Sequence, residues 1–265
     1  MEHLGVRRGG RWLIEDLTFC VHPGEVLGIL GPNGAGKSTL LRCLAGTPPS
    51  AGTVRWDGKP LGDWSARDLA LRRAVVSQKV ALSFPFTAFE VVLMGRIPHY
   101  RRSERPEDRR RAWAALRRVG AEGLAERSYP TLSGGEQQRI QFARALAQLD
   151  TDGPRLLLLD EPTASLDLLH QHHILALAQA MAKEGVAVVV VLHDLNLAAM
   201  YTDRLLLIRD GQPVARGRTQ AVLTAETIHT TFGVSVDILR HPAGAGALVV
   251  THPSTGTPTH PGIES

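Results

Sequence analysis

A glycine-rich segment that ends in lysine and serine is the strongest chemical pattern in the chain. Residues 31–38 read Gly-Pro-Asn-Gly-Ala-Gly-Lys-Ser, which matches the phosphate-binding pattern G-x-x-x-x-G-K-[ST]. Its glycines let backbone N–H groups turn towards a phosphate, and the N-terminus of a following helix adds partial positive charge. We expect Lys37 to reach the β- and γ-phosphates of a nucleotide and the Ser38 hydroxyl to bind Mg²⁺. The residues predicted to hold the nucleotide are Asn33, Gly34, Ala35, Gly36, Lys37, Ser38 and Thr39.

Two carboxylates follow a run of four leucines further along the chain. Leu156–Leu159 are followed by Asp160 and Glu161, and a continuous apolar run is typical of a buried strand. Ligands bind at the carboxyl edge of a parallel sheet, where both side chains would lie. We expect Asp160 to hold Mg²⁺ through water and Glu161 to orient or deprotonate the attacking water. The alternative, an acidic strand end that starts a turn at Pro162, is weak beside a phosphate loop.

A third pattern combines a helix cap with two glycines. Ser133 and Glu136 have the spacing of a capping box, which predicts a helix over residues 137–149. Gly134 and Gly135 leave the first N–H groups of that helix open to an anion. The two interpretations are compatible, because the cap builds the helix end that would bind the anion.

These groups need a scaffold in which strands alternate with helices. Val26–Leu30 and Val186–Leu192 are short apolar runs that predict buried strands, and Lys37 begins a predicted helix that Gly46 ends. Such alternation predicts a parallel, doubly wound α/β core. Further strands are predicted at Thr53–Trp56, Ala74–Val76, Leu156–Leu159 and Leu205–Ile208, with turns at Asp57–Gly58 and Asp210–Gly211.

The spacing of apolar residues changes to a helical one from about residue 82 to residue 149. We interpret this stretch as a helical subdomain inserted into a sheet domain that spans residues 1–251. Residues 252–265 are rich in Pro, Thr, Gly and Ser, and we expect a disordered tail there.

Composition argues against several classes of protein. The formal charge of +4, from 30 basic and 26 acidic residues, is too small to indicate nucleic-acid binding. Cys20 and Cys43 lack Cys-x-x-Cys spacing, so neither a disulfide scaffold nor a zinc site is expected. No secretory signal is recognisable, and the longest aliphatic run, Val186–Leu192, is far shorter than the roughly 20 residues of a membrane span. Any membrane part would have to come from other chains.

Together these motifs resemble those of the ATP-binding-cassette (ABC) ATPases. Residues 132–137 are similar to the family's signature sequence, Gln78 to its Q-loop glutamine, Asp167 to the end of its D-loop and His193 to its switch histidine. The similarity runs from about residue 13 to residue 208. It implies a P-loop NTPase domain with a RecA-like parallel sheet, an N-terminal antiparallel β part and an inserted α-helical subdomain.

The resemblance also implies a mechanism in which two copies face head to tail and enclose ATP between them. Ser133, Gly134 and Gly135 of one copy would contact the γ-phosphate of the ATP held by the other. His193 would contact that phosphate within its own chain, and Asp167 would couple the two sites.

Magnesium and the attacking water have their own residues in this resemblance. Gln78 would bind Mg²⁺ together with Ser38 and Asp160, and would sense the lytic water. The implied catalytic set is therefore Glu161, His193 and Gln78, with ATP and Mg²⁺ as cofactors.

The adenine contact departs from the family pattern, in which an aromatic residue upstream of the phosphate loop stacks on the base. That position falls near Val6, and Trp12 is the nearest aromatic residue. Simple apolar contact by Val6 and stacking by Trp12 both remain open.

Residues 82–99 resemble the stretch that lines the permease groove in importers of iron complexes and cobalamin. The segments 83–86, 150–155 and 167–171 are most similar to those of haem importer ATPases. This implies two integral-membrane permease subunits, a periplasmic haem-binding protein as an indirect partner, and a peripheral location on the cytoplasmic face of the bacterial inner membrane. Siderophore or cobalamin import, a soluble ABC ATPase and a non-catalytic regulator are the alternatives.

Two clusters of charged or titratable residues have simpler interpretations. His170, His172 and His173 are expected to form a polar helix start rather than a metal or haem site. The arginines between residues 101 and 118 alternate with acidic residues, so a solvated helix face is expected, with attraction to an anionic membrane leaflet as the alternative.

Overall fold

The computed structural model describes residues 1–77, 84–100, 102–149, 151–164, 166–242, 244 and 246–252. The strands, in chain order, are β1 (Glu2–Arg8), β2 (Arg11–Leu17), β3 (Val26–Leu30), β4 (Ala51–Thr53), β5 (Arg55–Trp56), β6 (Lys59–Pro60), β7 (Arg73–Val76), β8 (Leu156–Asp160), β9 (Ala187–Val191), β10 (Arg204–Arg209), β11 (Gln212–Arg218), β12 (Val236–Arg240) and β13 (Ala247–Thr251). The α-helices are α1 (Lys37–Leu44), α2 (Ala66–Arg72), α3 (Ala88–Met94), α4 (Pro106–Arg118), α5 (Gly134–Gln148), α6 (Leu168–Lys183), α7 (Leu195–Tyr201), α8 (Thr219–Val222) and α9 (Ala225–Phe232).

A six-stranded sheet with the order β11-β10-β3-β9-β8-β7 forms the centre of the molecule. All neighbouring pairs from β10 to β7 are parallel. Strand β11 closes a hairpin on β10, and the turn uses positive φ at Asp210 and Gly211. The predicted parallel core is therefore confirmed, and its carboxyl edge gathers the ends of β3, β8 and β9.

Burial on both faces explains why these strands are continuous apolar runs. Every residue of β3 and β9 is buried. Successive residues point to opposite faces: Val188 and Val190 join one hydrophobic cluster, whereas Val189 and Val191 join the other. Cys43 packs into the second cluster at 1% exposure, as expected for a buried thiol.

The predicted N-terminal antiparallel part is present as the sheet β2-β1-β4. It is joined to the phosphate loop through the β10–β11 turn: the amide of Gly211 donates to the Ala35 carbonyl, and that of Glu15 donates to the Gly211 carbonyl. These contacts fix the loop between two sheets.

A buried ion pair joins the ends of the inserted helices α3, α4 and α5. The Arg96 guanidinium contacts the Asp108 carboxylate (3.1 Å, Nε to Oδ1) and donates to the Ala147 carbonyl, while Asp108 also accepts the Arg105 amide. Both charged side chains are less than a tenth exposed. This pair therefore ties the start of α4 to the C-terminal end of α5, the helix whose N-terminus carries the predicted anion site.

The C-terminal part contains elements that the sequence patterns did not indicate. Helices α8 and α9 and the antiparallel hairpin β12–β13 follow the central sheet. The predicted strand Val186–Leu192 is one residue shorter at each end, and the signature helix begins at Gly134 rather than at residue 137. The predicted tail lies outside the described residues except for His252.

None of the helices that the structure describes is both long and apolar enough to cross a membrane. The arginines of α4 pair with nearby acids, for example Arg109 with Glu104 and Arg111 with Glu107. These exposed ion pairs agree with the solvated helix face that the alternating charges predict.

Candidate functional site

Packing, and not only ligand access, requires glycine at two positions of the phosphate loop. Gly36 has φ 101° and caps α1, and a Cβ there would lie 2.6 Å from the Leu13 carbonyl oxygen. A Cβ at Gly31 would lie 2.1 Å from the Ile208 carbonyl oxygen. The loop is therefore fixed by backbone from two flanking strands.

Lys37 is buried and points back over its own loop. Its Nζ donates to the carbonyls of Gly31 (2.7 Å) and Pro32 (2.9 Å). Burial lowers the pKa of Lys37, while Glu161 and Asp160 oppose that shift. Phosphate oxygens reaching this loop would find a preformed cation. At the tip, Asn33 and Gly34 are exposed, whereas Ala35 is buried and Ser38 and Thr39 are partly buried.

A hydroxyl and a carboxylate meet where the loop approaches the end of β8. Ser38 Oγ donates to Asp160 Oδ1 at 3.2 Å. Burial raises the pKa of Asp160, the hydrogen bond from Ser38 opposes that shift, and the nearby Glu161 adds to it. Both are oxygen donors of the kind that Mg²⁺ takes together with phosphate oxygens. The residues present therefore fit Mg²⁺, with Gln78 outside the described residues.

Glu161 and His193 are in direct contact although 32 positions separate them in the chain. Nε2 of His193 lies 2.6 Å from Oε1 of Glu161. Strand β9 ends beside β8 in the sheet, so the residues that follow the two strands become neighbours. Glu161 adopts φ 50°, an uncommon conformation for a non-glycine residue. The contact brings together the predicted base and the predicted switch histidine.

The predicted capping box at the start of α5 is formed, and the helix end that it caps is exposed. Ser133 Oγ accepts the Glu136 amide (3.3 Å), and Glu136 Oε2 accepts the Ser133 amide (2.7 Å). These bonds hold the pKa of Glu136 below its usual value, with the backbone amide as the largest cause. Ser133 and Gly134 are exposed. No described atom comes within 4 Å of a Cβ added at Gly134.

Asp167 caps the helix that follows the D-loop. Its Oδ1 accepts the His170 amide (2.9 Å) and lies 2.7 Å from His170 Nδ1, which lowers the pKa of Asp167. His170 thus contacts the capping residue of its own helix, and His172 Nδ1 contacts the Tyr201 hydroxyl of α7. No group of three or more metal-ligating side chains occurs within the described ranges. Neither the cap at Asp167 nor its contact with His170 was predicted from the sequence, although Asp is a preferred N-cap residue.

Both candidates for the adenine contact lie on the N-terminal sheet. Val6 pairs with Ile14 and is partly buried. Trp12 is 39% exposed, and the guanidinium of Arg7 lies 5.7 Å from its ring centroid. Apolar contact by Val6 and stacking by Trp12 are therefore both compatible with the structure.

Comparison with known proteins finds consistent relatives. The profile of the family described as ABC transporter matches residues 14–164. The "Hemin import ATP-binding protein HmuV" of Gloeobacter violaceus is 55% identical over 251 residues, covering 93% of this chain and 91% of that protein. A protein of the same name from Pseudomonas aeruginosa is 47% identical over 252 residues, covering 94% of this chain and 98% of that protein.

Solved structures agree with these sequence matches. A metal-chelate type ABC transporter in an inward-facing conformation superposes with a TM-score of 0.82 at 29% identity, covering 96% of each chain. A dimeric ATP-binding cassette in a post-hydrolysis state with ADP and Pi gives a TM-score of 0.71 at 30% identity, covering 82% of this chain and 97% of that one.

Proposed function

Because the chain belongs to the ABC transporter family, we propose that it is the ATP-binding and ATP-hydrolysing subunit of a hemin importer. The observation that carries the hydrolytic part is the 2.6 Å contact of His193 with Glu161 beside Lys37, Ser38 and Asp160. The hemin assignment rests on relatives that bear that name and match this chain almost end to end.

Hydrolysis requires a positioned water and compensation of charge on the transferred phosphate. Glu161 orients the attacking water and accepts its proton, and His193 holds Glu161 and contacts the γ-phosphate. Lys37 and the loop amides bind the β- and γ-phosphates. When bound, Mg²⁺ would supply positive charge that offsets the negative charge of the phosphates, and Ser38, Asp160 and Gln78 are the residues that would hold it.

A second copy completes the site in this proposal. Ser133 and Gly134 lie at an exposed helix N-terminus, with the partly buried Gly135 beside them, so in this proposal their N–H groups serve the ATP bound by the partner copy. Enclosure by donors from both copies removes water from the phosphates and strengthens each interaction. ATP then favours the closed dimer, and hydrolysis reopens it.

Two integral-membrane permease subunits complete the transporter, and the chain lies against them on the cytoplasmic face of the inner membrane. The exposed side chains of Phe84 and Ile97 lie on either side of α3 in the chain and fit a role in docking the permease. A periplasmic hemin-binding protein delivers the cargo without touching this chain.

Transport in liposomes tests the proposal. The chain is co-reconstituted with its integral-membrane permease subunits, and hemin is supplied by a hemin-binding protein on the opposite side of the membrane. We expect ATP-dependent hemin movement that Glu161→Gln abolishes. ATP turnover without hemin movement contradicts the cargo assignment, and absence of turnover contradicts the hydrolytic role.

A second cargo class has one observation in its favour. The solved transporter with a TM-score of 0.82 is described as a metal-chelate type, which supports iron-siderophore or cobalamin complexes as the alternative. The same liposomes loaded with a ferric siderophore or cobalamin distinguish the two.

A further inference from the structure

The C-terminal hairpin is fastened to the helix that follows His193 by one side chain. The Asn196 amide nitrogen donates to the Val249 carbonyl (3.2 Å), and its oxygen accepts the Val249 amide (2.7 Å). A side-chain amide that bonds both backbone groups of one residue acts like a strand partner. It fixes the distance and the angle between α7 and β13.

The hairpin is itself anchored, so it can act as a fixed support. Val236 and Val249 are buried in the same hydrophobic cluster as Leu197 and Ala198 of α7. A Cβ at Gly246, next to the start of β13, would lie 3.0 Å from the Ala199 carbonyl oxygen. The hairpin therefore contacts α7 at the buried face of β13 and again near its turn.

Asn196 lies in the first turn of α7, and its backbone amide is bonded to the capping residue of that helix. Asp194 Oδ1 accepts the backbone amides of Asn196 (2.7 Å) and Leu197 (2.9 Å) and caps the helix. Asp194 directly follows His193, whose ring contacts Glu161. A short covalent and hydrogen-bonded path thus joins the hairpin, Asn196, the cap and the switch histidine.

The other end of α7 is held by different groups. The Tyr201 hydroxyl contacts His172 Nδ1 at 2.7 Å, and Gln179 of α6 donates to the Met200 carbonyl at 3.4 Å. These contacts fix the C-terminal end of α7 against α6. Near its N-terminal end, next to His193, the side-chain hydrogen bonds to another described element are those between Asn196 and Val249.

We propose that Asn196 is a positioning residue for ATP hydrolysis, through which the hairpin over residues 236–251 holds His193 in register with Glu161 and the γ-phosphate. The inference rests on the proposed role of His193. Without the two hydrogen bonds between Asn196 and Val249, the start of α7 becomes more mobile, and His193 loses the alignment on which hydrolysis depends.

The test compares Asn196→Ala with the parent in the full chain assembled with its permease. We expect kcat to fall about 10-fold, because a small misplacement of a catalytic group is costly. The KM for ATP and the affinity for a fluorescent ATP analogue should stay within about two-fold of the parent, because Asn196 does not touch the phosphate loop. Asn196→Asp keeps the oxygen that accepts the Val249 amide, and it should lose less activity.

Gln179→Ala is the matched control, since it removes a side-chain amide bond at the opposite end of the same helix. Its kcat should equal that of the parent. A general loosening of α7 would lower both variants alike and would overturn the proposal. Parent-like kcat in Asn196→Ala would also overturn it.

A double-mutant cycle identifies the route of the effect. In a His193→Ala background, Asn196→Ala should cause no further loss of kcat, because the group it positions is gone. A further 10-fold loss there would show that Asn196 acts independently of His193. Parent-like turnover of His193→Ala itself would instead refute the proposed role of the histidine, and the positioning role with it.

Discussion

The phosphate loop and the N-terminus of α5 are both proposed to bind an anion through backbone amides, but glycine occurs in them for different reasons. At Gly31 and Gly36 any side chain would collide with backbone from β10 or β2. At Gly134 an added Cβ meets no described atom within 4 Å. Glycine in the loop is explained by the fold, whereas glycine at α5 serves no packing purpose within one copy.

This difference indicates where the second half of the site comes from. The N-terminus of α5 is capped and exposed, and glycine at its first two positions leaves the helix N–H groups accessible. Such a helix end is suited to bind a ligand held by another chain. The carboxyl edge of the sheet, in contrast, already collects Lys37, Ser38, Asp160, Glu161 and His193. In the proposed function, one copy therefore holds the phosphates and the attacking water, and the other copy supplies the remaining donors.

The largest expected effect separates binding from hydrolysis on the loop side. Glu161→Gln keeps the shape of the side chain but cannot accept a proton, so kcat should fall by about 10² to 10⁴-fold. ATP affinity should match the parent, because Lys37 and the loop amides are untouched. Steady-state ATPase and equilibrium binding of a fluorescent ATP analogue measure the two quantities.

Glu126→Gln is the control for that experiment, since it makes the same change at an exposed position of the helical subdomain. It should leave kcat unchanged. Turnover of Glu161→Gln within a few-fold of the parent would contradict the assignment of Glu161 as the base.

The next effect concerns the scaffold that carries the α5 end of the site. Asp108→Ala leaves the buried Arg96 guanidinium without its carboxylate, which typically costs about 3–5 kcal/mol. Urea unfolding followed by circular dichroism measures the loss. Arg109→Ala breaks an exposed pair on the same helix and should cost less than about 1 kcal/mol. Equal losses in the two variants would contradict the structural role of the buried pair.

A pair of identical substitutions tests the comparison directly. Gly36→Ala forces a side chain into φ 101° against the Leu13 carbonyl, so the backbone term alone should cost about 1–3 kcal/mol. Gly134→Ala should change stability by no more than about 1 kcal/mol, because the space is open and alanine favours a helix. Thermal unfolding of both variants measures this contrast.

Activity should follow a different order from stability in these two variants. Gly134→Ala, although stable, should lower ATP turnover about 10-fold by holding the partner's phosphate away from the helix N–H groups. ATP affinity of the isolated chain should not change, since its own phosphate loop is intact. Parent-like turnover in this variant would contradict a contribution of α5 in trans.

Sequence patterns predicted the core well because its buried strands are continuous apolar runs. Four leucines followed by two carboxylates and a proline favour a buried strand in an alternating α/β chain, and Lys37 begins α1 as predicted. The hairpin β12–β13 gave no such signal. Only Val236 and Val249 of its residues are buried, so no continuous buried run marks it, and its bond to Asn196 joins residues 53 positions apart in the chain. The 2.6 Å contact of His193 with Glu161 also depends on strand order, which periodicity alone does not encode.

The smallest effects belong to the cap of α5. Ser133→Ala removes the hydroxyl that accepts the Glu136 amide and should cost about 1 kcal/mol at pH 7. Thr87→Ala, which removes the corresponding cap of α3, is the matched control for stability. It should cost a similar amount without the loss of turnover expected from a residue at the anion site.

The pH dependence of this cap follows from the lowered pKa of Glu136. Because the folded state holds that pKa below its ordinary value of 4.5, the ionised form is favoured by folding. The resulting stability is fully present above the ordinary pKa and is lost as the pH falls through the lowered pKa. Glu136→Gln should therefore be less stable than the parent at pH 7, and the difference should shrink below about pH 4. Urea unfolding at pH 7, 5 and 3.5 measures it, and a difference that grows on acidification would contradict the cap geometry that keeps the α5 end open to a partner.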